Sequence, residues 1–137
     1  MPFDRSVIPL VALEFMNRDH QSFMQSVDEL EALLQQAMPD HDAIARKLAA
    51  ILEHTRTHFA AEEAEMAATG FPPMPVHQSE HVRVLSDMER QAADWQVGQD
   101  VPMLLRYVRE TIPAWLAQHT QTMDFVTAKW VAARKGS

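Results

Sequence analysis

Six polar side chains occupy positions at which the periodicity of the surrounding apolar residues points into a core. They are His20, His58, Glu62, His77, His81 and His119. Burying one polar group without a partner costs about 1–3 kcal/mol, and a domain has a total stability of only about 5–15 kcal/mol. A metal centre would satisfy all six together, because imidazole nitrogens and carboxylate oxygens become ligands and the cations offset the buried negative charge.

The spacing of these residues favours a shared site. Two pairs are separated by one helical turn and therefore share a helix face; these are His58 with Glu62 and His77 with His81. The next pair, His119 and Asp124, is separated by about 140° around a regular α-helix. We expect this pair to flank the inward line from opposite sides, with Asp124 reaching sideways toward a cluster beneath His119. Five histidines and two carboxylates from four helices predict a pair of iron ions, because a single metal would leave ligands unused.

Each of these motifs by itself is weak evidence for a metal site. A lone histidine on a helix face is more often a satisfied core or surface residue than a ligand, whereas one set in register on every helix is specific. His41, beside the predicted start of the second helix, is expected to be solvated. Five methionines are expected to fill the core rather than bind metal; these are Met16, Met24, Met66, Met88 and Met123.

Four helices are predicted to position these residues in an all-α, up-down-up-down four-helix bundle with the di-iron site in its core. Apolar residues recur every three or four positions over long stretches, and strand signals are nearly absent. The first helix is expected from about Pro9 to Met38. The second, capped by Asp40 or Asp42, is expected to end near Thr69.

The second half of the chain carries the other two helices. Residues 70–75 are predicted to form a loop because the prolines among them do not fit inside a helix. The third helix is expected to end near Trp95. After a break at residues 98–100, the fourth is expected to continue to about Arg134, with a kink or restart at Pro113.

Composition limits the function classes. The 137 residues predict one domain over 1–137, and the net charge of -7 argues against nucleic acid or an anionic membrane as partner. The absence of cysteine excludes iron–sulfur clusters and thiolate zinc sites. The N-terminal residues do not have the pattern of a signal peptide, and no segment approaches the roughly 20 apolar residues of a membrane span. A cytoplasmic location is therefore expected.

The motifs resemble those of the hemerythrin family, which includes the bacteriohemerythrins, across nearly the whole chain. The family pattern is one histidine on the first helix, then HFxxEE, then HxxxH, then WLxxH with an aspartate five residues later. This chain has His20 in NRDHQSF, HFAAEE from His58, HQSEH from His77 and WLAQHTQTMD ending at Asp124. Every ligand position of the pattern is filled.

The resemblance implies a division of ligands between two irons. One iron would be held by three histidines, namely His77, His81 and His119. The other would be held by two histidines, namely His20 and His58. The carboxylates Glu62 and Asp124 would bridge the pair, together with an oxo or hydroxo group derived from solvent.

The resemblance also implies reversible binding of molecular oxygen, for storage, delivery or scavenging, with no substrate transformed. Oxygen would bind at the iron with only two histidines, where a coordination position stays open. The pocket must exclude water and protons. Four apolar side chains lie within one turn of ligands, as such a pocket requires: Phe23, Phe59, Trp115 and Leu116.

Two residues depart from the family pattern. Thr120 replaces the apolar residue that usually follows the last histidine beside the oxygen site, and we hypothesise that its hydroxyl makes the pocket wetter and speeds autoxidation. His54, one turn before His58, stands where relatives commonly carry an aromatic residue. It is interpreted either as a partly buried histidine bonded to a neighbouring helix or as a group that supports the metal ligands or delivers protons.

Other functions remain open from the sequence. One alternative is enzymatic: turnover of peroxide or nitric oxide, or oxidase chemistry, at the same metals. The ferritin-like oxidases are a poor match because they need ExxH pairs, and no glutamate here is followed by histidine three residues later. Another alternative is an oxygen or redox sensor that acts on a separate partner. The oligomeric state does not follow from the sequence.

Overall fold

Apolar periodicity produces three long helices and a fourth, interrupted one. The computed structural model describes residues 8–135. The long helices are α1 (Glu14–Leu34), α2 (His41–Thr69) and α3 (Met74–Gly98). The fourth arm of the bundle consists of α4 (Val101–Arg106), α5 (Ile112–His119) and α6 (Phe125–Lys135). A first π turn, Tyr107–Thr111, joins α4 to α5, and a second π turn, Thr120–Asp124, joins α5 to α6. The predicted all-α four-helix bundle is therefore confirmed.

The first helix is shorter than the sequence predicts at both ends. It begins at Glu14 instead of near Pro9, and it ends at Leu34 instead of near Met38. The reason at the start is local: the side-chain amide of Asn17 accepts a hydrogen bond from the Val11 N–H at 2.9 Å and donates one to the Val11 carbonyl at 3.0 Å. These bonds satisfy the backbone of the preceding segment outside the helix.

The predicted boundaries of α2 are confirmed, whereas those of α3 are partly wrong. Asp40 caps α2 by accepting a hydrogen bond from the Ala43 N–H, and Gly70 ends it in a left-handed conformation with φ 64°. The helix α3 already starts at Met74, so Pro75 lies in its first turn rather than in the loop. Proline is tolerated there because the first-turn N–H groups have no intrahelical partner. Gln99, with φ 48°, ends α3 just after Gly98.

The restart predicted at Pro113 is confirmed, and its geometry is a π turn. Proline has no N–H to donate and its ring clashes with the carbonyl four residues earlier. The first π turn ends one residue before α5, whose first turn contains Pro113, and it closes with a bond from the Ile112 N–H to the Tyr107 carbonyl. A wider turn at this point removes the clash without ending the helix.

A polar layer separates two apolar clusters along the bundle. The larger cluster runs from Phe23 to Leu34 on α1 and includes buried residues of α2 to α5. The smaller one contains Val11, Met16 and Ala128. His20 lies between them on α1, so the polar layer lies in the interior, as predicted. Within residues 8–135, no helix is long and apolar enough to cross a membrane.

Candidate metal centre

The polar layer contains two adjoining groups of buried ligand-type residues. We call the first the three-histidine cluster, formed by Glu62, His77, His81 and His119. We call the second the two-histidine cluster, formed by His20, His58, Glu62 and Asp124. In each cluster the ligand-type atoms lie within 4.8 Å of one another, and every member is buried. The structure thus brings together all seven of the predicted candidates.

Glu62 contacts both clusters through different oxygens. Its Oε2 lies 2.7 Å from Nε2 of His58 in the two-histidine cluster. Its Oε1 lies 3.1 Å from Nε2 of His81 in the three-histidine cluster. The carboxylate is therefore oriented as a bridge, with one oxygen available to a cation on each side.

Asp124 repeats this arrangement from the fourth arm. Its Oδ2 lies 3.0 Å from Nε2 of His20, and its Oδ1 lies 3.0 Å from Nε2 of His119 and 3.2 Å from Nε2 of His77. Like Glu62, it faces both clusters at once.

The sequence-based geometry of His119 and Asp124 was wrong. The pair does not flank the inward line of a regular α-helix, because the second π turn begins immediately after His119 and ends at Asp124. In a π turn the hydrogen bond links residues five positions apart, here the Phe125 N–H and the Thr120 carbonyl. The wider turn places the imidazole and the carboxylate on the same face, in direct contact.

In three of the histidines, the ring nitrogen that faces away from the centre contacts a polar side chain that the sequence motifs did not predict. Nδ1 of His58 lies 2.7 Å from a carboxylate oxygen of Asp19, and Nδ1 of His81 lies 2.8 Å from one of Glu63. Nδ1 of His77 lies 2.9 Å from the Thr127 hydroxyl. When Nδ1–H donates to these acceptors, the Nε2 lone pair faces the centre, which is the tautomer that a metal ligand requires. The second glutamate of HFAAEE was the available signal for Glu63.

The inner atoms fit cations better than they fit one another. Among the described residues, several buried atoms that face the centre lie close to one another but make no hydrogen bond of acceptable geometry: Glu62 Oε1, Glu62 Oε2, His81 Nε2 and Asp124 Oδ1. Nε2 of His77 also faces Nε2 of His119 at 3.3 Å, although two lone pairs repel unless a proton or cation lies between them. Buried polar atoms are normally satisfied, so this donor set of nitrogen and oxygen matches a pair of divalent cations such as iron.

Without cations, protons would have to balance the two carboxylates. Burial lowers the pKa of His58, but its interactions with Glu62 and Asp19 outweigh burial and raise the pKa to about 9. Burial raises the pKa of Asp124, yet the surrounding imidazoles, led by that of His119, hold it well below its usual value. Burial and Asp124 raise the pKa of Glu62, and contacts with neighbouring imidazoles lower it overall. Cation binding must therefore displace protons from the histidines.

A small cavity adjoins the two-histidine cluster. Its lining includes the apolar side chains predicted for an oxygen pocket, Phe23, Phe59, Trp115 and Leu116. Thr120 is not among the lining residues. It is fully buried on the second π turn, and its hydroxyl has no hydrogen-bond partner within residues 8–135.

The polar part of the cavity lining comes from α1, α2 and the fourth arm. Asp19, His54 and Thr55 line it between α1 and α2, and cluster members from α1, α2 and the fourth arm complete it: His20, His58, His119 and Asp124. Nε2 of His54 lies 3.2 Å from the backbone carbonyl of Asp19, so this half-buried histidine links α2 to α1. His41, in contrast, is exposed at the start of α2, as predicted.

The fold and the site define a four-helix-bundle protein with a cation centre of histidines and carboxylates in its core. Residues 11–131 match the model of the hemerythrin HHE cation binding domain. The chain belongs to this family.

Curated relatives agree with this assignment, and a solved structure shares the fold. A bacteriohemerythrin of Ralstonia nicotianae is 41% identical over 90 residues, which cover 64% of this chain and 62% of that protein, less than two thirds of its length. A bacteriohemerythrin of Aquifex aeolicus is 24% identical over 116 residues, covering 84% of this chain and 86% of the relative. The crystal structure of a wild-type hemerythrin superposes with a TM-score of 0.82 at 18% identity, covering 96% of this chain and 98% of that chain.

The pKa of His58 predicts how pH acts on the metal-free protein. A folded-state pKa of about 9 against an ordinary value of 6.5 means that protonated His58 stabilises the fold. This contribution is complete below about pH 6.5 and is lost as the pH rises through about 9. Urea unfolding of chelator-treated protein should therefore give a lower free energy of unfolding at about pH 10 than at about pH 6.

The substitution His58→Gln should reduce this pH-dependent loss, whereas His41→Gln, at an exposed histidine, should leave it intact. The stability of the metal-free protein should fall as the pH rises, whereas its affinity for cations should rise from about pH 6 to about pH 8, because protons compete with the metal for the histidines. If the His58→Gln variant lost as much unfolding free energy between about pH 6 and about pH 10 as the unmodified protein, the raised pKa of His58 would not be the cause of the loss.

Proposed function

We propose that this protein binds two iron ions in the adjoining clusters and reversibly binds molecular oxygen beside the two-histidine cluster. The proposed ligands of one iron are His77, His81 and His119. The proposed ligands of the other are His20 and His58. Glu62 and Asp124 are the proposed bridges, because each directs one oxygen toward each cluster.

The position of the apolar cavity carries the proposal of oxygen binding. Three members of the two-histidine cluster line it, namely His20, His58 and Asp124, against one member of the three-histidine cluster, His119. The cavity therefore lies mainly on the side where the protein supplies fewer nitrogen ligands, and it leaves room there for a small molecule. A di-ferrous pair supplies the two electrons that reversible oxygen binding needs. The chain's own residues supply the enclosure: Phe23, Phe59, Trp115 and Leu116 present carbon surface to the cavity and keep water away from the centre.

The proposed bridges also keep the two sites close and electrically balanced. Five neutral imidazoles and two carboxylates carry a charge of about -2, which partly balances two divalent cations. Asp19, Glu63 and Thr127 hold three of the imidazoles with Nε2 toward the centre. We propose that this rigid donor set lets the centre cycle between oxidation states without loss of metal.

Removal of one ligand should remove one metal. The substitution His77→Ala deletes a ligand of the three-histidine cluster only, so the iron content should fall from about two to about one per chain. The matched control is His41→Ala, which removes an exposed histidine from the start of α2 and should leave the content at about two. Iron and protein are measured in samples loaded with ferrous iron without oxygen. An unchanged iron content in the His77→Ala variant would refute the ligand assignment.

Reversibility of oxygen binding distinguishes a carrier from an enzyme or a sensor. The iron-loaded protein is reduced anaerobically, exposed to oxygen and returned to argon, while the visible charge-transfer bands are followed over repeated cycles. We expect the bands to appear with oxygen and to disappear under argon, with about two irons per chain. Immediate conversion to a stable di-ferric form would instead favour peroxide or nitric oxide turnover, or redox sensing, at the same centre.

Thr120 does not line the cavity, and we propose that its buried hydroxyl shortens the life of the oxygenated form from the π turn that joins His119 to Asp124. This hydroxyl is the one polar group of its side chain, it lies next to His119 and it has no partner in the described part of the chain. The substitution Thr120→Val removes the hydroxyl at nearly constant volume, and Thr120→Ile restores the apolar residue usual in the family. Both should slow autoxidation, measured as the decay of the visible bands in air.

The control for this prediction is Thr122→Val, because Thr122 is exposed and its hydroxyl donates to the Gln118 carbonyl one turn earlier. Its autoxidation rate should equal that of the unmodified protein. A lifetime that is unchanged or shorter in both Thr120 variants would show that the hydroxyl does not promote autoxidation.

A further inference from the structure

His119 differs from the other histidines of the three-histidine cluster in how its ring is held. Thr127 and Glu63 fix the rings of His77 and His81 by hydrogen bonds at Nδ1. Nδ1 of His119 is buried and has no such partner in residues 8–135. A ligand ring that is free to turn about its side-chain bonds would not keep Nε2 aimed at a cation.

Trp115 packs directly against this ring. The two ring centroids are 5.0 Å apart and the planes are inclined by only 26°. The indole, one turn before His119 on α5, therefore stacks on the imidazole. Phe23 and Phe59 meet the indole nearly edge-on, with centroid separations of 6.5 and 6.2 Å. The orientation of His119 thus depends on the orientation of Trp115.

Glu80 on α3 fixes the indole in turn. The Trp115 Nε1–H donates a hydrogen bond of 3.2 Å to Oε1 of Glu80. The guanidinium of Arg83 donates two hydrogen bonds to the same carboxylate, from Nη2 to Oε1 and from Nε to Oε2, the latter at 3.1 Å. Arg83 is itself tied to Asp87 at 3.4 Å.

We infer that Glu80 is a positioning residue of the cation centre that acts through Trp115 on the ring of His119. The contacts run without a gap from an ion network on the outer face of α3, through one indole, to a proposed ligand on α5. Glu80 precedes His81 in the sequence, so one turn of α3 supplies both a ligand and the support for a ligand on another helix. The inference rests on the cation centre of the proposed function, and it does not depend on oxygen binding.

The contacts from Glu80 through Trp115 to His119 predict different effects for two substitutions of Glu80. Glu80→Ala removes the acceptor for the indole, so the ring of Trp115 is released and His119 is less well oriented. Glu80→Gln keeps an acceptor oxygen but loses the charge that Arg83 holds. We expect release of ferrous iron to excess chelator under argon to become about tenfold faster in Glu80→Ala, and to stay within about threefold of the original rate in Glu80→Gln.

A second measurement does not require metal. The indole N–H of Trp115 is followed by NMR in chelator-treated protein, where hydrogen bonding to Glu80 protects it from exchange with solvent. Protection should be lost in Glu80→Ala and kept in Glu80→Gln. If the protein failed to retain two ferrous ions, the proposed function would fail, whereas this N–H measurement would still test the contact with Glu80.

Two comparisons distinguish an effect of Glu80 that acts through Trp115 from a general loss of stability. Glu110→Ala removes an exposed carboxylate that faces Arg106 at 3.9 Å on the fourth arm, and it should change neither iron release nor the N–H signal. In a Trp115→Phe background, Glu80→Ala should cause no further acceleration of release, because the link is already broken. Additive effects of the two substitutions, or equal rates in Glu80→Ala and the unmodified protein, would overturn the inference.

Discussion

The burial of two carboxylates in the core is the constraint on which the rest of this structure depends. Glu62 and Asp124 are each about 1% exposed, and an isolated buried carboxylate is strongly unfavourable. Every proposed histidine ligand points Nε2 toward one or both of them. Because these imidazoles come from all four arms of the bundle, the helices must stay in register for the two anions to be tolerated at all. The site therefore specifies the helix packing as much as the packing positions the site.

This constraint also shapes the backbone of the fourth arm. A regular α-helix would turn Asp124 away from His119, and the second π turn returns it to the same face. A π turn has poorer backbone geometry than an α-helix and occurs mostly as a single turn. It persists here because it places one carboxylate against three imidazoles, at 3.0 to 3.2 Å. The first π turn has a different origin, since Pro113 forbids a regular continuation.

The sequence predicts most of the bundle and the composition of its polar layer, because apolar periodicity and ligand spacing are both local properties. The buried stripe of α3, from His77 through Val84 to Trp95, follows directly from that periodicity. The second π turn could not be predicted in this way, since it results from contacts between arms rather than from a local breaker. Asp19, Thr127 and Glu80 were missed for the same reason: each contacts a histidine or tryptophan on another helix, and its spacing in the sequence carries no sign of that partner.

The histidines of the centre are supported by two kinds of contact. Carboxylates and a hydroxyl hold His58, His77 and His81 from outside the polar layer, whereas an aromatic ring holds His119. That ring belongs to Trp115, which also lines the cavity beside the two-histidine cluster. The shape of the cavity and the orientation of His119 in the three-histidine cluster are therefore coupled through one indole. A change that enlarges the cavity by moving Trp115 must also disturb His119, so the two clusters respond to such a change as one unit.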